Sequence, residues 1–365
     1  MRSIAIHLPQ FHPIPENDAW WGKGFTEWTN VAKARPLFRG HRQPRVPADL
    51  GYVDLRLPEA REAQASLARS HGIDGFCYYH YWFEGQRLIE RPVDEMLASG
   101  RPDFPFMLCW ANETWSRRWL GEDREVLLRQ TYSMADHERH ARWLAGAFVD
   151  PRYIRVHGRP VFLVYRPLDI PDLPDALGVY RRVVQQEAGC DPFLVAVDSR
   201  ESGRDFRADG FDYTMNFRPQ LGLVPGVTDD GFQWRRWWRN RRLGIGSGRL
   251  KAIDYAEFLR RMEGIAPGHA HYFPSVFVGW DNTPRRGERG VVVVGESPAR
   301  FHAQVVRALE IARSRPAEEQ LLFVNAWNEW AEGNHLEPDT GQGRAYLEAL
   351  HAALQGRPAP GPAPA

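Results

Sequence analysis

The sequence of 365 residues predicts an α/β fold of the (β/α)8 TIM-type barrel, built as a single domain with long strand-to-helix loops. Eight short apolar or aromatic runs alternate with helical patterns along the chain. Most of these runs are continuously apolar rather than alternating, which is typical of parallel strands covered by helices. The length also suits one large barrel.

The predicted strands are 3–8, 75–82, 106–110, 161–165, 193–197, 213–216, 273–278 and 322–327. The predicted helices between and after them are 59–70, 92–99, 137–148, 175–187, 253–263, 298–313 and 343–354. The gap between the fifth and sixth strands is too short for a full helix. A doubly wound open sheet is the alternative, but no GxGxxG follows the first strand, which argues against the dinucleotide-binding version.

We assign residues 1–354 to the barrel domain and residues 355–365 to a disordered tail, because the tail is rich in Pro and Ala. The first loop, 10–54, is long for a compact domain. Loops of this length are usually lids or binding loops. The sequence therefore places a functional segment directly after the first strand.

Composition excludes several classes of protein. Lys and Arg number 47 and Asp and Glu number 46, so the net charge of +1 favours neither nucleic acid nor an anionic membrane as a general partner. No apolar run reaches the ~18 residues of a membrane span. The N-terminus lacks the apolar region of a signal peptide, and the three cysteines show no metal-binding spacing. We expect a cytoplasmic protein without a metal or cofactor.

The stretch 231–251 departs from this neutral background, because it is strongly basic and contains three Trp. One interpretation is a surface for an acidic glycan or for the phosphates of a lipid-linked precursor, with peripheral membrane contact. The favoured interpretation is a solvated insertion helix whose Trp face packs on the barrel.

Aromatic and hydrogen-bonding residues stand at the ends of nearly all the predicted strands. In a (β/α)8 barrel these ends meet at one face, where the active site forms. Trp and Tyr faces suit sugar rings, and Asn, Asp and His suit sugar hydroxyls. We therefore expect an oligosaccharide or polysaccharide as the ligand. The candidate binding residues are His7, His80, Tyr81, Trp82, Trp110, Asn112, Glu113, Tyr165, Asn216, Trp280, Asp281, Trp327 and Asn328.

Two carboxylates, Glu329 and Glu332, follow the last predicted strand. If the chain coils there, residues three apart share one face. Enzymes that act on glycosidic bonds typically use two carboxylates beside the sugar. Their repulsion and burial raise one pKa enough to make a general acid. A salt bridge to Arg285 or Arg286 is the structural alternative, and the flanking Trp residues favour the catalytic interpretation.

Six motifs resemble the WbsX-like family, whose members are described as glycosyltransferases of bacterial surface polysaccharide clusters and which is related to glycoside hydrolase family 99. The resemblance runs from about His7 to Asp339. The motifs are HLPQFH, GFTEWTNV, GFCYYHYW, CWANETW, GWDNTPRRG and NEWAEGNHLEPD.

The resemblance implies a (β/α)8 enzyme that cleaves α-mannosidic bonds with retention. By the family pattern, Glu329 deprotonates the sugar 2-hydroxyl, which attacks C1 to give an anhydro-sugar, and Glu332 acts as acid and then base. The GWDNTPRRG stretch implicates Asp281 and Arg285 in substrate binding. The chain departs from family 99 at Ala331, where that family usually has His.

Three hypotheses of function remain open. The first is a retaining glycoside hydrolase acting on a bacterial polysaccharide of α-linked mannose or 6-deoxymannose (rhamnose). The second is a glycosyltransferase or transglycosylase of O-antigen (lipopolysaccharide) or capsule assembly, although the sequence has no DxD motif and no Gly-rich phosphate loop. The third is a non-catalytic glycan-binding module, which does not require both carboxylates.

Overall fold

The computed structural model describes residues 1–116, 125–200, 203–265 and 267–360. Its centre is a closed barrel of eight parallel strands, as predicted. The strands are β1 (Arg2–His7), β2 (Gly75–Phe83), β3 (Phe106–Trp110), β4 (Arg159–Val164), β5 (Phe193–Asp198), β6 (Tyr213–Asn216), β7 (Tyr272–Phe277) and β8 (Leu321–Asn325).

The barrel closes because β1 pairs with a strand on each side. In one ladder Arg2 lies opposite Leu321 of β8, and in the other Ile4 lies opposite Gly75 of β2. The strands are buried on both faces, inside by one another and outside by helices. This double burial explains why the sequence shows continuous apolar runs instead of alternation.

Helices surround the barrel and also occupy its loops. They are α1 (Pro15–Trp21), α2 (Glu27–Lys33), α3 (Pro58–Ser70), α4 (Arg91–Ser99), α5 (Met134–Phe148), α6 (Leu173–Ala188), α7 (Trp234–Arg242), α8 (Tyr255–Glu263), α9 (Thr283–Arg286), α10 (Pro298–Arg313) and α11 (Ala345–Leu354). Between β5 and β6 the connection carries a 3-10 turn, Phe206–Asp209, and the prediction of a gap too short for a full helix is confirmed.

One predicted helix, 253–263, begins later than the sequence indicates. Residues Lys251–Asp254 form a short strand that pairs in parallel with Val291–Val294. Helix α8 then starts at Tyr255, because the Asp254 carboxylate accepts hydrogen bonds from the amides of Ala256 and Glu257. The helical pattern in the sequence continues on both sides of this cap, so the sequence alone did not indicate the strand.

The insertion 231–251 forms helix α7, but the prediction that its Trp face packs on the barrel is wrong. Trp234 and Trp238 are exposed, whereas Arg236 and Asn240 are buried. The side chain of Arg236 donates hydrogen bonds to the carbonyl oxygens of Gly231 and Arg249. Polar contacts to backbone, not aromatic packing, therefore hold this helix.

No helix in the described part of the chain combines the length and apolar character needed to cross a bilayer. At the C-terminus, α11 ends at Leu354, and residues 355–360 continue without helix or strand. The rest of the predicted disordered tail, 361–365, lies outside the described residues.

Candidate active site

Glu329 and Glu332 stand on a tight turn that follows β8. Asn328–Glu329 pairs with Asn334–His335 in a short antiparallel ladder. The 3-10 turn Trp330–Glu332 lies between the two halves of that ladder. Gly333 closes the turn with φ of +58°, and a Cβ there would lie 2.9 Å from the Cβ of Asp281. The turn therefore requires glycine and fixes both carboxylates at the end of the barrel where the strands terminate.

Both carboxylates approach the guanidinium of Arg285, which lies on α9 after β7. The Nη1 atom of Arg285 lies 2.6 Å from Oε1 of Glu332. Its Nη2 atom lies 3.6 Å from Oε2 of Glu329. The two side chains predicted as a pair thus converge on one cation, and the salt bridge predicted as the alternative is present at the same place.

A third carboxylate, Glu27, reaches the same arginine from the first loop. Its Oε1 atom accepts a hydrogen bond of 3.0 Å from Nε of Arg285, and its side chain is fully buried on α2. The amide of Asn30 lies 3.5 Å from the same oxygen. The sequence prediction did not include Glu27, although it stands inside the GFTEWTNV motif.

The single positive charge of Arg285 cannot balance three ionised carboxylates. Burial and the neighbouring Glu332 raise the pKa of Glu329 well above its ordinary value, although Arg285 opposes the shift. Burial also raises the pKa of Glu332, with Arg285 opposing and Glu27 adding to the rise. The pair therefore holds a proton more readily than an ordinary carboxyl group does, as a general acid requires.

Arg285 itself stays charged. Burial alone would lower its pKa, but the carboxylates of Glu27, Glu332 and Glu329 raise the pKa above its ordinary value.

Three tyrosines lie near the pair. The hydroxyl of Tyr81 accepts a hydrogen bond of 3.3 Å from the amide of Gln10. The rings of Tyr79 and Tyr165 meet edge to face with centroids 5.9 Å apart. Burial raises the pKa of all three, and the negative charge of Glu329 contributes at Tyr79 and Tyr81. They are neutral phenols that offer both a ring face and a hydroxyl to a ligand. The predicted set of strand-end residues leaves out Tyr79, because Tyr79 lies inside a continuous apolar strand.

Three predicted residues turn away from the carboxylates and face α5. His80 contacts His140 with ring nitrogens 3.0 Å apart and stacks on Trp143. The indole of Trp82 donates to the carboxylate of Asp136. Trp110 is fully buried, with its ring centroid 4.8 Å from that of His140. Side chains alternate along a strand, so Tyr79 and Tyr81 face the site while His80 and Trp82 face the helices.

His7 also points to the helical layer. Its Nε2 atom lies 3.1 Å from the side-chain oxygen of Gln64 on α3, and burial lowers its pKa to about 4. Gln64 in turn donates to Glu337. The imidazole is therefore neutral and joins a buried network behind the barrel wall.

Asn328 and Trp327 hold the end of β8 against its neighbours. The amide group of Asn328 accepts from the backbone nitrogen of Leu8 and donates to its carbonyl oxygen. Trp327 is fully buried with its ring 5.2 Å from that of Phe76. Both residues position the turn that carries Glu329 and are occupied by protein contacts.

Asn112, Glu113 and Tyr165 meet around Arg166 at the ends of β3 and β4. The Asn112 oxygen accepts from the backbone nitrogen of Arg166 at 2.7 Å. The Glu113 carboxylate accepts from Nε of Arg166 at 2.7 Å, and the guanidinium lies 4.5 Å from the centre of the Tyr165 ring. Glu113 adds to the rise in the pKa of Glu332, so this corner adjoins the site.

Asp281 connects the first loop to the loop after β7. Its Oδ2 atom lies 2.7 Å from Nε2 of His41 and accepts from the amide of Gln43 at 2.7 Å. Its Oδ1 atom accepts from the hydroxyl and backbone nitrogen of Thr283. Burial alone would raise its pKa, but the hydrogen bond with His41 holds it below the ordinary value. Asp281 therefore links the two loops through these hydrogen bonds, which together form the Asp281 clasp.

Trp280 and Asn216 complete the predicted set. Trp280 is buried in an apolar cluster with Tyr255 and Phe277, and its indole nitrogen has no hydrogen-bond partner within the described chain. Asn216 is the buried last residue of β6. Among the described residues, no group of three or more His, Cys, Asp or Glu side chains is arranged to hold a metal ion.

Comparisons with known proteins show the family and the fold of the chain. A family model described as "Glycosyltransferase WbsX" matches residues 3–350. Two curated relatives from strains of Xanthomonas campestris pv. campestris, both called "Uncharacterized protein WxcX", are 40% identical over 356 residues. That match covers 97% of this chain but 50% of each relative, so the chain spans about half the length of the curated relatives it matches.

Solved structures share the fold. A GH99 endo-alpha-mannosidase from Bacteroides thetaiotaomicron superposes with a TM-score of 0.57 at 13% identity, covering 97% of both chains. A structure described as a glycoside hydrolase-like protein gives a TM-score of 0.59 at 13% identity, covering 96% of this chain and 93% of that one. At these identities the likeness establishes the barrel fold alone. The matched family model and the two curated relatives establish more: the chain belongs to the family described as glycosyltransferase WbsX.

Proposed function

We propose that the protein is a carbohydrate-active enzyme, and that Glu329 and Glu332 act together on α-mannoside-like linkages of a bacterial polysaccharide. The convergence of both carboxylates on Arg285, at 3.6 and 2.6 Å, is the observation that carries this proposal. A capping role would leave each carboxylate with its own partner. Two acids around one cation instead share a proton, which is the state that glycosidic bond chemistry uses.

The proposed first step forms an anhydro-sugar. Glu329 removes the proton from the sugar 2-hydroxyl, and O2 attacks C1 from the side opposite the leaving group. The bond from C1 to the glycosidic oxygen breaks, and Glu332 gives its proton to that oxygen. Attack by O2 requires it to be trans to the leaving group, as in α-linked mannose and 6-deoxymannose.

The second step restores the sugar and the enzyme. Water attacks C1 and gives a proton to Glu332, the bond from C1 to O2 breaks, and O2 recovers the proton held by Glu329. Two inversions at C1 retain the configuration.

Burial raises the pKa of both carboxyl groups, and the proposed first step needs the proton of the pair on Glu332. A 2-hydroxyl that donates to Glu329 favours its ionised form. The two carboxylates titrate as a pair. Sugar binding therefore moves the shared proton to Glu332, whose side chain is 21% exposed and accessible to the leaving oxygen.

Transfer to an acceptor sugar is the second candidate, and the family description as a glycosyltransferase favours it. A sugar hydroxyl can open the anhydro-sugar as readily as water, with the same proton transfers. The same two carboxylates then serve hydrolysis or transglycosylation, and the acceptor decides the product.

Incubation with mannan- and rhamnan-type polysaccharides, with and without nucleotide sugars, followed by mass analysis of the products, tests the proposal. Shorter products support hydrolysis, and longer products support transfer. The Glu332→Gln variant serves as the control against contaminating enzymes and should show neither. Unchanged polysaccharide under all conditions would contradict the proposed function.

A further inference from the structure

Helix α7 and its flanks present a basic aromatic surface to solvent. Its members share exposure and are either aromatic or arginine: Phe232, Trp234, Arg235, Trp238, Arg241, Arg242 and Arg249. On a helix, positions 234, 238 and 241 share one face, and positions 235 and 242 lie beside it. The members on α7 therefore form one continuous outer side of the helix, and Phe232 and Arg249 belong to its flanks.

The opposite side of α7 is fastened to the protein. The side chain of Arg236 donates to the carbonyl oxygens of Gly226, Gly231 and Arg249. The amide of Asn240 donates to those of Ser247 and Leu250 at 2.8 and 2.7 Å. These buried anchors fix the orientation of the helix, so the exposure of the other side follows from the fold.

The aromatic exposure is unusual within this molecule. Trp234 and Trp238 are 67% and 63% exposed, the highest values among large hydrophobic side chains in the described part of the chain. Phe232 is 50% exposed beside them. Clustered exposed apolar side chains mark interaction surfaces, whereas single ones are ordinary.

The charge of this segment selects a negatively charged partner. Residues 231–253 contain no Asp or Glu, although the whole chain is nearly neutral with a net charge of +1. The four arginines of the surface are exposed. Anionic lipid headgroups attract Lys and Arg side chains that lie near the membrane surface.

The ring geometry distinguishes a membrane from a single-stranded nucleic acid. Phe232 and Trp234 meet at 89°, Trp234 and Trp237 at 81°, and Trp237 and Trp238 at 76°. Bases stack on successive open ring faces. Rings packed edge to face form instead a compact apolar projection, which suits the interfacial region of a bilayer, where Trp is enriched.

The surface lies at the mouth end of the barrel. Helix α7 belongs to the connection that leaves the C-terminal end of β6, and in this fold such connections surround the active site. Asp230, directly before the segment, forms ion pairs with Lys251 and with Arg286, the neighbour of Arg285. The surface is thus tied directly to the loop that carries the central arginine.

We propose that the basic aromatic surface docks the protein on membranes that carry anionic phospholipids, with the barrel mouth close to the bilayer. The arginines bind the headgroups, and Trp234, Trp238 and Phe232 enter the interface. This inference goes beyond the proposed function and does not depend on it, because it concerns no residue of the carboxylate pair.

Flotation of the purified chain with phosphatidylcholine vesicles, with and without phosphatidylglycerol, tests the docking. We expect binding to the vesicles with phosphatidylglycerol, and weaker binding as salt is added. The double variant Trp234→Ala, Trp238→Ala and the double variant Arg235→Glu, Arg242→Glu should each bind about tenfold more weakly or worse. All four side chains are exposed, so the fold should remain intact, which thermal melting checks.

A charge-matched control is Arg101→Glu, Arg313→Glu, because both arginines are exposed and lie outside α7. This control should bind as the parent does. Equal binding of the parent and the Trp variant, equal binding to neutral vesicles, or binding to an oligonucleotide or an acidic polysaccharide without binding to vesicles would each overturn the proposal.

Discussion

Arg285 is the residue on which the candidate site depends. It lies between Glu27, Glu329 and Glu332, with distances of 3.0, 3.6 and 2.6 Å to their nearest oxygens. With one cation for three acids, removing any acid changes the proton affinity of the others. Glu27 is buried on the far side of this cation, so it affects the pair by positioning and charge.

The Glu27→Gln variant tests this positioning role. Glu27 raises the pKa of both Glu329 and Glu332, and its removal also leaves more of the Arg285 charge for them. Both effects lower the pKa values of the pair, so we expect the bell-shaped pH dependence of kcat/KM to move toward acid. The measurement is the pH profile with a saccharide substrate.

The exposed Glu59 offers the matched control, and Glu59→Gln should leave the profile in place. A variant of Glu27 that only loses activity, with its pH optimum unmoved, would contradict the positioning role.

For single residues, the sequence indicates which residue types stand at the strand ends better than it indicates where their side chains point. His80 and Trp82 are aromatic residues at a strand end, as predicted, yet they face α5, because alternation cannot be read when both faces of a strand are apolar. Glu27 was missed because a carboxylate in a loop looks solvated until α2 buries it. Its only signal was its place in an aromatic motif.

At the scale of elements, the first loop and the loop after β7 form one unit through Asp281. The clasp to His41, Gln43 and Thr283 brings 10–54 over the end of the barrel. Glu27 belongs to the same long loop, so the clasp also determines where Glu27 meets Arg285. The first loop therefore contributes Glu27 to the candidate site.

The Asp281→Asn variant should release this loop. An amide cannot accept from His41, Gln43 and Thr283 together, and the unpaired buried donors cost about 1–3 kcal/mol of unfolding free energy. We expect a lower denaturation midpoint and faster proteolysis within 10–54. Because the pKa of Asp281 is lowered, its stabilising contribution is present above pH 3.8 and is lost as the pH falls.

Asp175→Asn is the control for this change, since Asp175 is exposed on α6. If Asp281→Asn and Asp175→Asn leave the loop equally resistant to protease, the loop does not depend on the clasp.

Element boundaries followed from the sequence where a cap or a glycine marked them. Helix α10 matches its predicted range, because Ser297 caps it and Pro298 begins it. The short strand Lys251–Asp254 was missed, since its partner Val291–Val294 lies far along the chain. A local sequence pattern carries no information about pairing between distant segments.

At the scale of the whole molecule, closure of the barrel joins residues that lie more than three hundred positions apart, as Arg2 does with Leu321. The count of eight runs predicted this closure, and the structure confirms it. The convergence of Glu27, Arg285 and the carboxylate pair arises only once the ring has closed. The sequence therefore predicts the barrel and the acids at its end, but not the arginine-centred arrangement.

The buried carboxyl group of Glu337, which lies outside the site, should make the unfolding free energy of the protein depend on pH. Burial raises the pKa of Glu337 to about 7, against hydrogen bonds from Trp330 and Gln64. A carboxyl group whose pKa is raised by folding contributes its full stabilisation below pH 4.5, which is its pKa in the unfolded chain. The contribution is lost as the pH rises through about 7, which is its pKa in the folded protein. The loss is about 3 kcal/mol.

Glu337→Gln removes the titrating group, so the fall in melting temperature from pH 5 to pH 8 should be smaller in this variant than in the parent. Glu59→Gln keeps Glu337 and should retain the parent slope. Identical slopes for Glu337→Gln and the parent would show that the carboxyl does not titrate in this range.

Glu329 and Glu332 are proposed to perform chemistry together on a bound sugar. The most direct measurement is the single-turnover rate on an α-mannan or rhamnan oligosaccharide, beside calorimetric binding, for the parent, Glu329→Gln and Glu332→Gln. Each variant should bind the saccharide but turn it over about 10²-fold more slowly or worse. Parental turnover in either variant would contradict this proposal, and so would loss of binding and rate in equal proportion.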